Sequence, residues 1–379
     1  MRSLPLLSLL AFTSCSLTET GGPPLPQLWD VADPVTASFS VIRDTSTDDD
    51  RFYAIRERVG SAGRALVAYD RETGEETWRY TIEGPCPVVV ADGRAYCPGD
   101  FLYALDAETG RLLWRYGRGQ PYDSFQLVAP AADARRVYVG HNGAPEGDGR
   151  VVAVDAATGE TVWERTFTGP GWEGILVQSL TLSPEEDLLV AFSAEFVPSQ
   201  IYSVAVLAAV DPATGEERWR VVDGDETTDR ETGDVTLWND MALYSDSGGQ
   251  AAVAIDRRTR AVAWRAPFTP GSFSTRRAPA VVDGVAYYTD TLGGVFAVDA
   301  RTGARVWAVQ RPYGFLNHEA CGDVVYGDDQ IGAVLDRATG RFLGDLFADR
   351  ARELGQSAVA DGVLYLSTSA GVTAFDCTP

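Results

Sequence analysis

The sequence predicts an all-β protein, an eight-bladed β-propeller of four-stranded antiparallel blades, and three observations support this fold class. A turn motif that begins with aspartate recurs along the chain, as in DAETGRLLW at Asp106–Trp114. Each copy follows a short apolar run such as FLYAL or VVAV, which is typical of a strand covered on both faces. Ahead of each run lies an apolar segment interrupted by turn residues, as in PAVVDGVAYY, which indicates a β-hairpin.

The spacing of the motif fits one blade per repeat. Seven intervals separate Asp70 from Asp376, and they average about 44 residues, the length of one propeller blade. Each unit therefore supplies a hairpin, a strand that ends at the motif aspartate, and a strand that carries the motif tryptophan. The aligned aspartates are Asp70, Asp106, Asp155, Asp211, Asp256, Asp299, Asp336 and Asp376.

Each residue type in the motif has a structural reason to be there. Asp and Thr side chains hydrogen-bond the backbone of tight turns, and Gly adopts a positive φ at little steric cost. An Ala two residues before the aspartate leaves room for a bulky neighbour, and the Trp four residues after the Gly is the candidate. We predict that these residues hold turns and pack blades. The glycines are Gly74, Gly110, Gly159, Gly215 and Gly303, and the tryptophans are Trp78, Trp114, Trp163, Trp219, Trp264 and Trp307.

Three repeats depart from the motif. Arg260 stands where the fifth repeat should have Gly, which predicts a looser or differently shaped turn. Gly344 replaces Trp in the seventh repeat, and the eighth reaches Asp376 without a fourth strand after it. Trp29, near the start, has no motif aspartate before it. We therefore expect an N-terminal strand to complete the last blade and close a single domain over residues 26–379.

The repeated pattern A-x-D-x-x-T-G-x-x-x-W resembles the tryptophan-docking motif of the pyrroloquinoline-quinone-type (PQQ-like) β-propeller repeat family. That family includes quinoprotein dehydrogenases and also non-catalytic lipoproteins, such as the propeller subunit of the outer-membrane barrel-assembly machinery. The resemblance implies a binding scaffold without catalytic residues or cofactor, a monomer that joins protein partners of the cell envelope in a larger complex. An alternative that it also implies is a dehydrogenase dependent on PQQ and calcium. Those enzymes typically carry two adjacent cysteines, and no two cysteines are adjacent here.

The charge balance argues against a nucleic-acid partner. Asp and Glu number 54 against 32 basic residues, all of them Arg, which gives a net charge of -22. Affinity for DNA or RNA comes from neutralising phosphates with basic side chains, so a polyanion would be repelled.

The first residues differ in composition from the rest. In MRSLPLLSLLAFTSC, a positive Arg2 precedes an apolar run too short to span a bilayer, which indicates a secretion signal over residues 1–14. Its end resembles the lipobox of bacterial lipoproteins, which implies that Cys15 is lipidated and that residues 15–25 form a tether. The alternative is plain cleavage of the signal without lipidation. With the anchor, we expect membrane contact only through the lipid, at the outer membrane facing the periplasm or at the cell surface.

The four remaining cysteines predict disulfides, because their number is even and an exported protein meets an oxidising compartment. Cys86 and Cys97 flank a predicted hairpin, so they are the expected pair. Cys321 and Cys377 then pair by elimination. A zinc site is disfavoured, because the chain has no C-x-x-C pair and only two histidines.

An acidic run over residues 223–234 suggests calcium, but its sequence does not fit an EF-hand loop. Thr228 stands at the sixth position, where Gly is needed, and Asp234 stands at the twelfth, where Glu is needed. We therefore predict a solvated acidic loop and no metal site.

The candidate binding face is the one that carries the connections into each first strand and from each second to third strand. Several of these connections hold aromatic and arginine side chains, which are enriched where proteins bind partners. The alternatives are that the rings pack within their own loops, or that the propeller senses a ligand such as a carbohydrate. The candidates are Tyr122, Trp172, Phe273, Arg276, Tyr313 and Phe315.

Overall fold

The computed structural model confirms the predicted fold class, with eight four-stranded antiparallel sheets, one for each repeat. It describes residues 24–32, 45–56, 64–82, 86–99, 101–117, 128–142, 149–183, 187–196, 202–269, 275–310, 318–327, 332–347 and 354–378. The predicted signal, Cys15 and most of the predicted tether lie outside these ranges. No helix within them is long and apolar enough to cross a membrane.

The strands of the first four blades follow the order of the repeats. One strand, β1 (Gln27–Ala32), precedes blade 1. Blade 1 has β2 (Thr45–Thr47), β3 (Arg51–Arg56), β4 (Arg64–Asp70) and β5 (Glu76–Ile82). Blade 2 has β6 (Val89–Ala91), β7 (Arg94–Pro98), β8 (Leu102–Asp106) and β9 (Leu112–Tyr116). Blade 3 has β10 (Ala131–Ala132), β11 (Arg136–His141), β12 (Arg150–Asp155) and β13 (Thr161–Thr166), and blade 4 has β14 (Trp172–Leu182), β15 (Leu188–Phe196), β16 (Ser203–Val210) and β17 (Glu217–Asp223).

The last four blades repeat this order. Blade 5 has β18 (Thr236–Trp238), β19 (Met241–Asp246), β20 (Ala251–Asp256) and β21 (Ala261–Pro267). Blade 6 has β22 (Ala280–Val282), β23 (Val285–Thr289), β24 (Gly294–Asp299) and β25 (Arg305–Gln310). Blade 7 has β26 (His318–Cys321), β27 (Val324–Gly327), β28 (Ala333–Asp336) and β29 (Phe342–Asp345), and blade 8 has β30 (Leu354–Ala360), β31 (Val363–Thr368) and β32 (Gly371–Asp376).

Burial differs between the strands of a blade in the way the sequence pattern predicts. The third strand of blade 4, SVAVLAAV, is buried at every residue, because neighbouring blades cover both of its faces. The fourth strand of blade 3, TVWERT, is exposed at four residues and buried only at Trp163, as expected at an outer edge. The cores accordingly lie between blades, in clusters that join the third strands of adjacent sheets.

The N-terminal strand closes the ring, as predicted. β1 pairs antiparallel with β32, with Trp29 opposite Ala374, and so supplies the fourth strand of blade 8. Leu25, the last residue of the predicted tether, is only 1% exposed and belongs to the apolar core beside blade 8. The folded domain therefore begins before residue 26.

The motif tryptophans join each blade to the next one. Trp78 is opposite Ala68 on its own sheet, as the motif suggested, but its ring lies against Gly110 of blade 2, where a Cβ would come within 2.6 Å of it. Its indole N–H donates to the carbonyl of Ala107 at 2.9 Å. The same docking joins Trp29 to Gly74, Trp114 to Gly159, Trp163 to Gly215, Trp264 to Gly303 and Trp307 to Gly340.

The turn that has Arg260 in place of Gly keeps the shape of the others, so the prediction of a looser turn was wrong. Arg260 adopts a φ of 56° and its N–H donates to the carbonyl of Asp256 at 2.8 Å, as Gly74 does to Asp70. The Arg260 guanidinium lies 5.9 Å from the centre of the Trp219 ring. A cation–π contact therefore takes the place of indole-on-glycine packing between blades 4 and 5.

The structure confirms both predicted disulfides. Cys86 and Cys97 join the start of the blade 2 hairpin to its second strand, with Cα atoms 5.1 Å apart. Cys321 and Cys377 join blade 7 to the end of blade 8, with Cα atoms 5.6 Å apart.

Candidate functional site

The antiparallel blades give the ring two different faces. The motif turns and the first hairpin turn of each blade lie on one face, which we call the turn face. The connections into each first strand and from second to third strands lie on the other, which we call the loop face. The candidates Trp172 and Arg276 are on the loop face, at the start of β14 and just before β22. The candidates Tyr122, Phe273, Tyr313 and Phe315 lie outside the described residues.

Blade 4 extends further toward the loop face than the blades beside it. Its second strand, β15, has 9 residues, whereas β11 and β19 have 6 each. Its first strand, β14, has 11 residues and pairs with β15 from Leu182 opposite Leu188 to Trp172 opposite Phe196. Among the described residues, neither neighbouring blade has a second strand as long as that of this hairpin.

Three aromatic side chains line one side of this extension. Trp172 of β14 is opposite Phe196 of β15. The N–H of Phe196 donates to the carbonyl of Tyr202, just before β16, at 3.2 Å. Residues opposite one another on antiparallel strands project from the same sheet face, so the three rings share one side.

The outer strand of the blade adds an apolar side chain to the same side. Val222 of β17 is opposite Val206 of β16, which is in turn opposite Phe192 of β15. Phe192 is four residues before Phe196 on the same strand, so Val222 projects from the same sheet face as Phe196. Tyr202 is 39% exposed and Val222 is 45% exposed, while the rings of the first two strands are half-buried. We call Trp172, Phe196, Tyr202 and Val222 the blade-4 patch.

The ring of Trp172 is held by its surroundings. It meets the edge of Phe192 at 6.0 Å between ring centres, and the Arg220 guanidinium lies 5.6 Å above it. Arg220 itself makes two hydrogen bonds of 2.5 Å to the carboxylate of Glu217. Burial alone would raise the pKa of Glu217, but the bonds from Arg220 and Arg165 outweigh it and lower that pKa. A charged pair thus fixes the aromatic ring in one orientation.

Arg276, the other predicted binding residue that the structure describes, forms an ion pair with Glu231. Its guanidinium donates to the carboxylate of Glu231 at 2.5 Å, and the side chain is 50% exposed. Its carbonyl accepts the N–H of Asp234 at 2.9 Å. Arg276 therefore ties the connection between blades 4 and 5 to blade 6, and its role in this structure is to position loops.

The acidic run over residues 223–234 is packed against blade 5, so the prediction of a solvated loop was wrong for part of it. Asp223 is 8% exposed, accepts the hydroxyl of Tyr244 at 2.9 Å and pairs with Arg265. Asp246 of β19 is fully buried and pairs with Arg230 of the run at 3.2 Å. Burial raises the pKa of Asp246, and the N–H groups and arginines around it partly compensate. These charges neutralise one another inside the fold.

Two open clefts lie on the turn face, between pairs of blades. The cleft between blades 1 and 2 has a volume of about 510 Å³, and half of its lining residues are carboxylates, among them Asp48, Asp92 and Asp106. The cleft between blades 3 and 4 has a volume of about 540 Å³ and includes Arg135 and Arg218. Charged side chains line both clefts, in contrast to the blade-4 patch.

The described residues hold neither adjacent cysteines nor a cluster of metal-binding side chains. The adjacent cysteines that the resemblance would require are missing, because all four cysteines of the propeller form disulfides across 11 and 56 residues. His141 and His318 lie in blades 3 and 7. Within the described ranges, no three His, Cys, Asp or Glu side chains are placed to share a metal ion.

Tyr202 and Val222 were not among the residues predicted from the sequence. Their exposure depends on how far the second strand of blade 4 outreaches its neighbours, and the pattern of a single strand does not show this. The sequence signal was the apolar run of β15, which is longer than the corresponding runs of other repeats.

The comparisons with known proteins agree with this architecture. A family model described as outer membrane protein assembly factor BamB matches residues 26–184 and 204–378. BamB from Moraxella catarrhalis superimposes with a TM-score of 0.68 at 16% identity, covering 93% of this chain and 99% of that one. No curated protein sequence matches the chain.

Solved enzymes share the fold as well. A europium-containing methanol dehydrogenase has a TM-score of 0.68 at 16% identity, covering 91% of this chain and 84% of that one. Quinohemoprotein alcohol dehydrogenase from Comamonas testosteroni has a TM-score of 0.69 at 16% identity, covering 93% and 76%. Likeness at this identity shows the fold alone, whereas the family model covers most of the chain. The chain belongs to the family of the outer membrane protein assembly factor BamB.

Proposed function

We propose that the protein is a non-catalytic binding scaffold of the bacterial cell envelope that acts in outer-membrane protein assembly. The observation that carries this proposal is the blade-4 patch, in which the exposed Tyr202 and Val222 lie beside the half-buried rings of Trp172 and Phe196. The family match and the similarity to BamB from Moraxella catarrhalis support a role in outer-membrane protein assembly.

The patch has the properties of a protein-binding anchor. Aromatic side chains contribute most of the energy at protein interfaces when they are held in place before binding. Trp172 is held by Arg220 and Phe192, so little conformational freedom is lost when a partner covers it. The net charge of -22 favours a partner surface that is neutral or basic.

Export and anchoring are part of the same proposal. Two disulfides support an oxidising compartment. We propose that Cys15 is the lipidated N-terminus, that the residues after it lead into the propeller, whose core includes Leu25, and that the lipid is the only membrane contact. The protein partners would then be envelope proteins, bound by one copy of this chain.

Capture of partners from the native envelope tests the binding proposal. Val222→Asp places a charge in the patch and should abolish enrichment of the partner that the wild-type protein captures. Val306→Asp is the matched control, since Val306 is 51% exposed on the outer strand of blade 6, away from the patch. Equal capture by the two variants, or no specific capture by the wild-type protein, would contradict the proposal.

The second candidate, a quinone-dependent dehydrogenase, is favoured by the fold shared with the two dehydrogenases. It is tested by adding PQQ and calcium to the purified protein. The scaffold proposal predicts no bound chromophore and no reduction of an acceptor dye with alcohol substrates. A stoichiometric chromophore with dye reduction would overturn the scaffold proposal in favour of the enzyme.

A further inference from the structure

One of the eight blade interfaces lacks a docked indole. At the other seven, the fourth strand of one blade places a tryptophan at the motif turn of the next, six times on a glycine and once beside Arg260. Between blades 7 and 8 the tryptophan position holds Gly344. It is opposite Val334, where the other repeats have alanine. The two substitutions are complementary: where the other repeats pair a small alanine with a large tryptophan, this one pairs the larger Val334 with the smaller Gly344.

A disulfide stands at the corresponding place. Cys377 directly follows the last motif aspartate, in the position whose carbonyl accepts the indole N–H elsewhere, as Ala107 does for Trp78. Here Cys377 is bonded to Cys321 at the end of β26. The two cysteines are only 1% and 2% exposed. A covalent bond therefore links blade 8 to blade 7 where an indole links the other blades.

Both ends of the propeller domain meet at this interface. β1 and β32 pair with each other in blade 8. Leu25 packs in one apolar cluster with Cys321 and Cys377, and Pro24 lies against Gly344. Separation of blades 7 and 8 would therefore remove neighbours from the first and the last strand together.

We propose that the Cys321–Cys377 disulfide is a redox-sensitive clasp, which closes the ring when oxidised and lets blades 7 and 8 separate when reduced. A dithiol reductant supplies the two electrons. One of its thiolates attacks a sulfur of the disulfide to form a mixed disulfide and release one cysteine, and its second thiolate then releases the other. The cysteines end as two thiols with the two protons of the reductant, which itself becomes a disulfide.

The other disulfide provides a matched control. Cys86 and Cys97 are 1% and 0% exposed, so they are as buried as the clasp. They lie within blade 2, whose two interfaces keep the docked Trp78 and Trp114. Reduction of this bond therefore leaves every indole contact around it in place, and the ring stays closed.

The first test is the rate at which each bond is reduced in the purified, folded protein. Dithiothreitol is added, free thiols are trapped with iodoacetamide at intervals, and the labelled peptides are measured by mass spectrometry. Because the two bonds are equally buried, the rate reports how readily the surrounding structure opens. We expect Cys321–Cys377 to be reduced at least ten times faster than Cys86–Cys97. Equal rates, or faster reduction of Cys86–Cys97, would overturn the proposal.

The second test is hydrogen exchange of the backbone in the oxidised protein, in the reduced wild-type protein and in two double variants. In Cys321→Ser/Cys377→Ser and in the reduced protein, exchange in β1 and β32 should rise at least tenfold, while β16 stays protected. In Cys86→Ser/Cys97→Ser, β1 and β32 should exchange as in the wild-type protein. If the clasp variant does not fold, the reduced wild-type protein decides. Unchanged protection of β1 and β32 after reduction, or equal loss of protection throughout the chain, would contradict a clasp.

Discussion

At the residue scale, the motif glycine has two separate functions that one substitution pair can distinguish. Gly110 has a φ of 69°, which side-chain-bearing residues adopt only with strain, and it also gives its surface to the ring of Trp78. Gly93, in the hairpin turn of the same blade, has a φ of 71° but has no atom within 4 Å of the position a Cβ would take. The two glycines thus share the strain and differ in the contact.

We predict that Gly110→Ala is much more destabilising than Gly93→Ala. Both variants carry the left-handed strain of about 1–2 kcal/mol. Gly110→Ala also forces its methyl group into the Trp78 ring, which adds about 1–3 kcal/mol of overpacking. Urea denaturation of both variants measures the difference. If the two variants lose the same stability, the glycine serves only the turn and the docking account fails.

At the element scale, the interface between blades 8 and 1 depends on β1 and on two arginines. Trp29 donates its indole N–H to the carbonyl of Arg71 at 2.9 Å. The Arg71 guanidinium donates to the hydroxyl of Tyr365 at 2.9 Å, and Arg56 donates to the carbonyl of Thr368 at 2.7 Å. β1 is therefore bonded both to blade 8, through its pairing with β32, and to blade 1, through Trp29 and Arg71.

We predict that Trp29→Ala destabilises the protein while Leu28→Ala does not. Loss of a buried Trp costs about 3–5 kcal/mol, whereas exposed positions usually change stability by less than about 0.5 kcal/mol. Trp29 is 9% exposed and Leu28, its neighbour on the same strand, is 52% exposed. Urea midpoints for both variants check this. Similar midpoints would mean that β1 contributes little to the ring.

The sequence was sufficient to predict the strands of each blade, but it was not sufficient to predict the contacts between blades. Periodic aspartates and apolar runs predict strands because each is a local pattern. The docking of Trp78 on Gly110 joins residues of different repeats, so the motif suggested only the partner on the same sheet. The turn at Arg260 was mispredicted because the carboxylate of Asp256 accepts the N–H groups of Arg258 and Thr259, which holds the shape of the turn despite the missing glycine. The blade-4 patch depends on the unequal lengths of neighbouring strands, which become visible only in three dimensions.

At the scale of the whole molecule, the repeated motif makes stability depend on acid. Seven motif aspartates have a lowered pKa, which in six of them results mainly from hydrogen bonds given by the Thr three residues on, and in Asp211 from Arg218. A group with a lowered folded pKa stabilises the protein above its unfolded value, about 3.9, and this stability is lost as the pH falls through the folded pKa.

We therefore predict that the urea midpoint falls as the pH is lowered below about 4, where unfolded aspartates take up protons first. Asp246 contributes to the pH dependence in the opposite direction, because its raised pKa favours the folded state at low pH. It is one group, whereas seven motif aspartates have a lowered pKa. Asp106→Asn, which keeps an acceptor for Thr109 but cannot titrate, should lose less stability over this range than the wild-type protein. A urea midpoint that does not fall with pH, or that falls equally in the wild-type protein and in Asp106→Asn, would contradict this link between the aspartate pKa values and stability.

The central claim is that this propeller binds a protein partner through the blade-4 patch, and site-specific photo-crosslinking in the native envelope tests it most directly. A photoreactive residue is introduced in place of Tyr202 and, in a matched protein, in place of Val306, which is exposed on another blade. We predict that the probe at position 202 yields one discrete crosslinked protein and that the probe at position 306 does not. Crosslinks to no protein at position 202, or the same products from both positions, would contradict the claim.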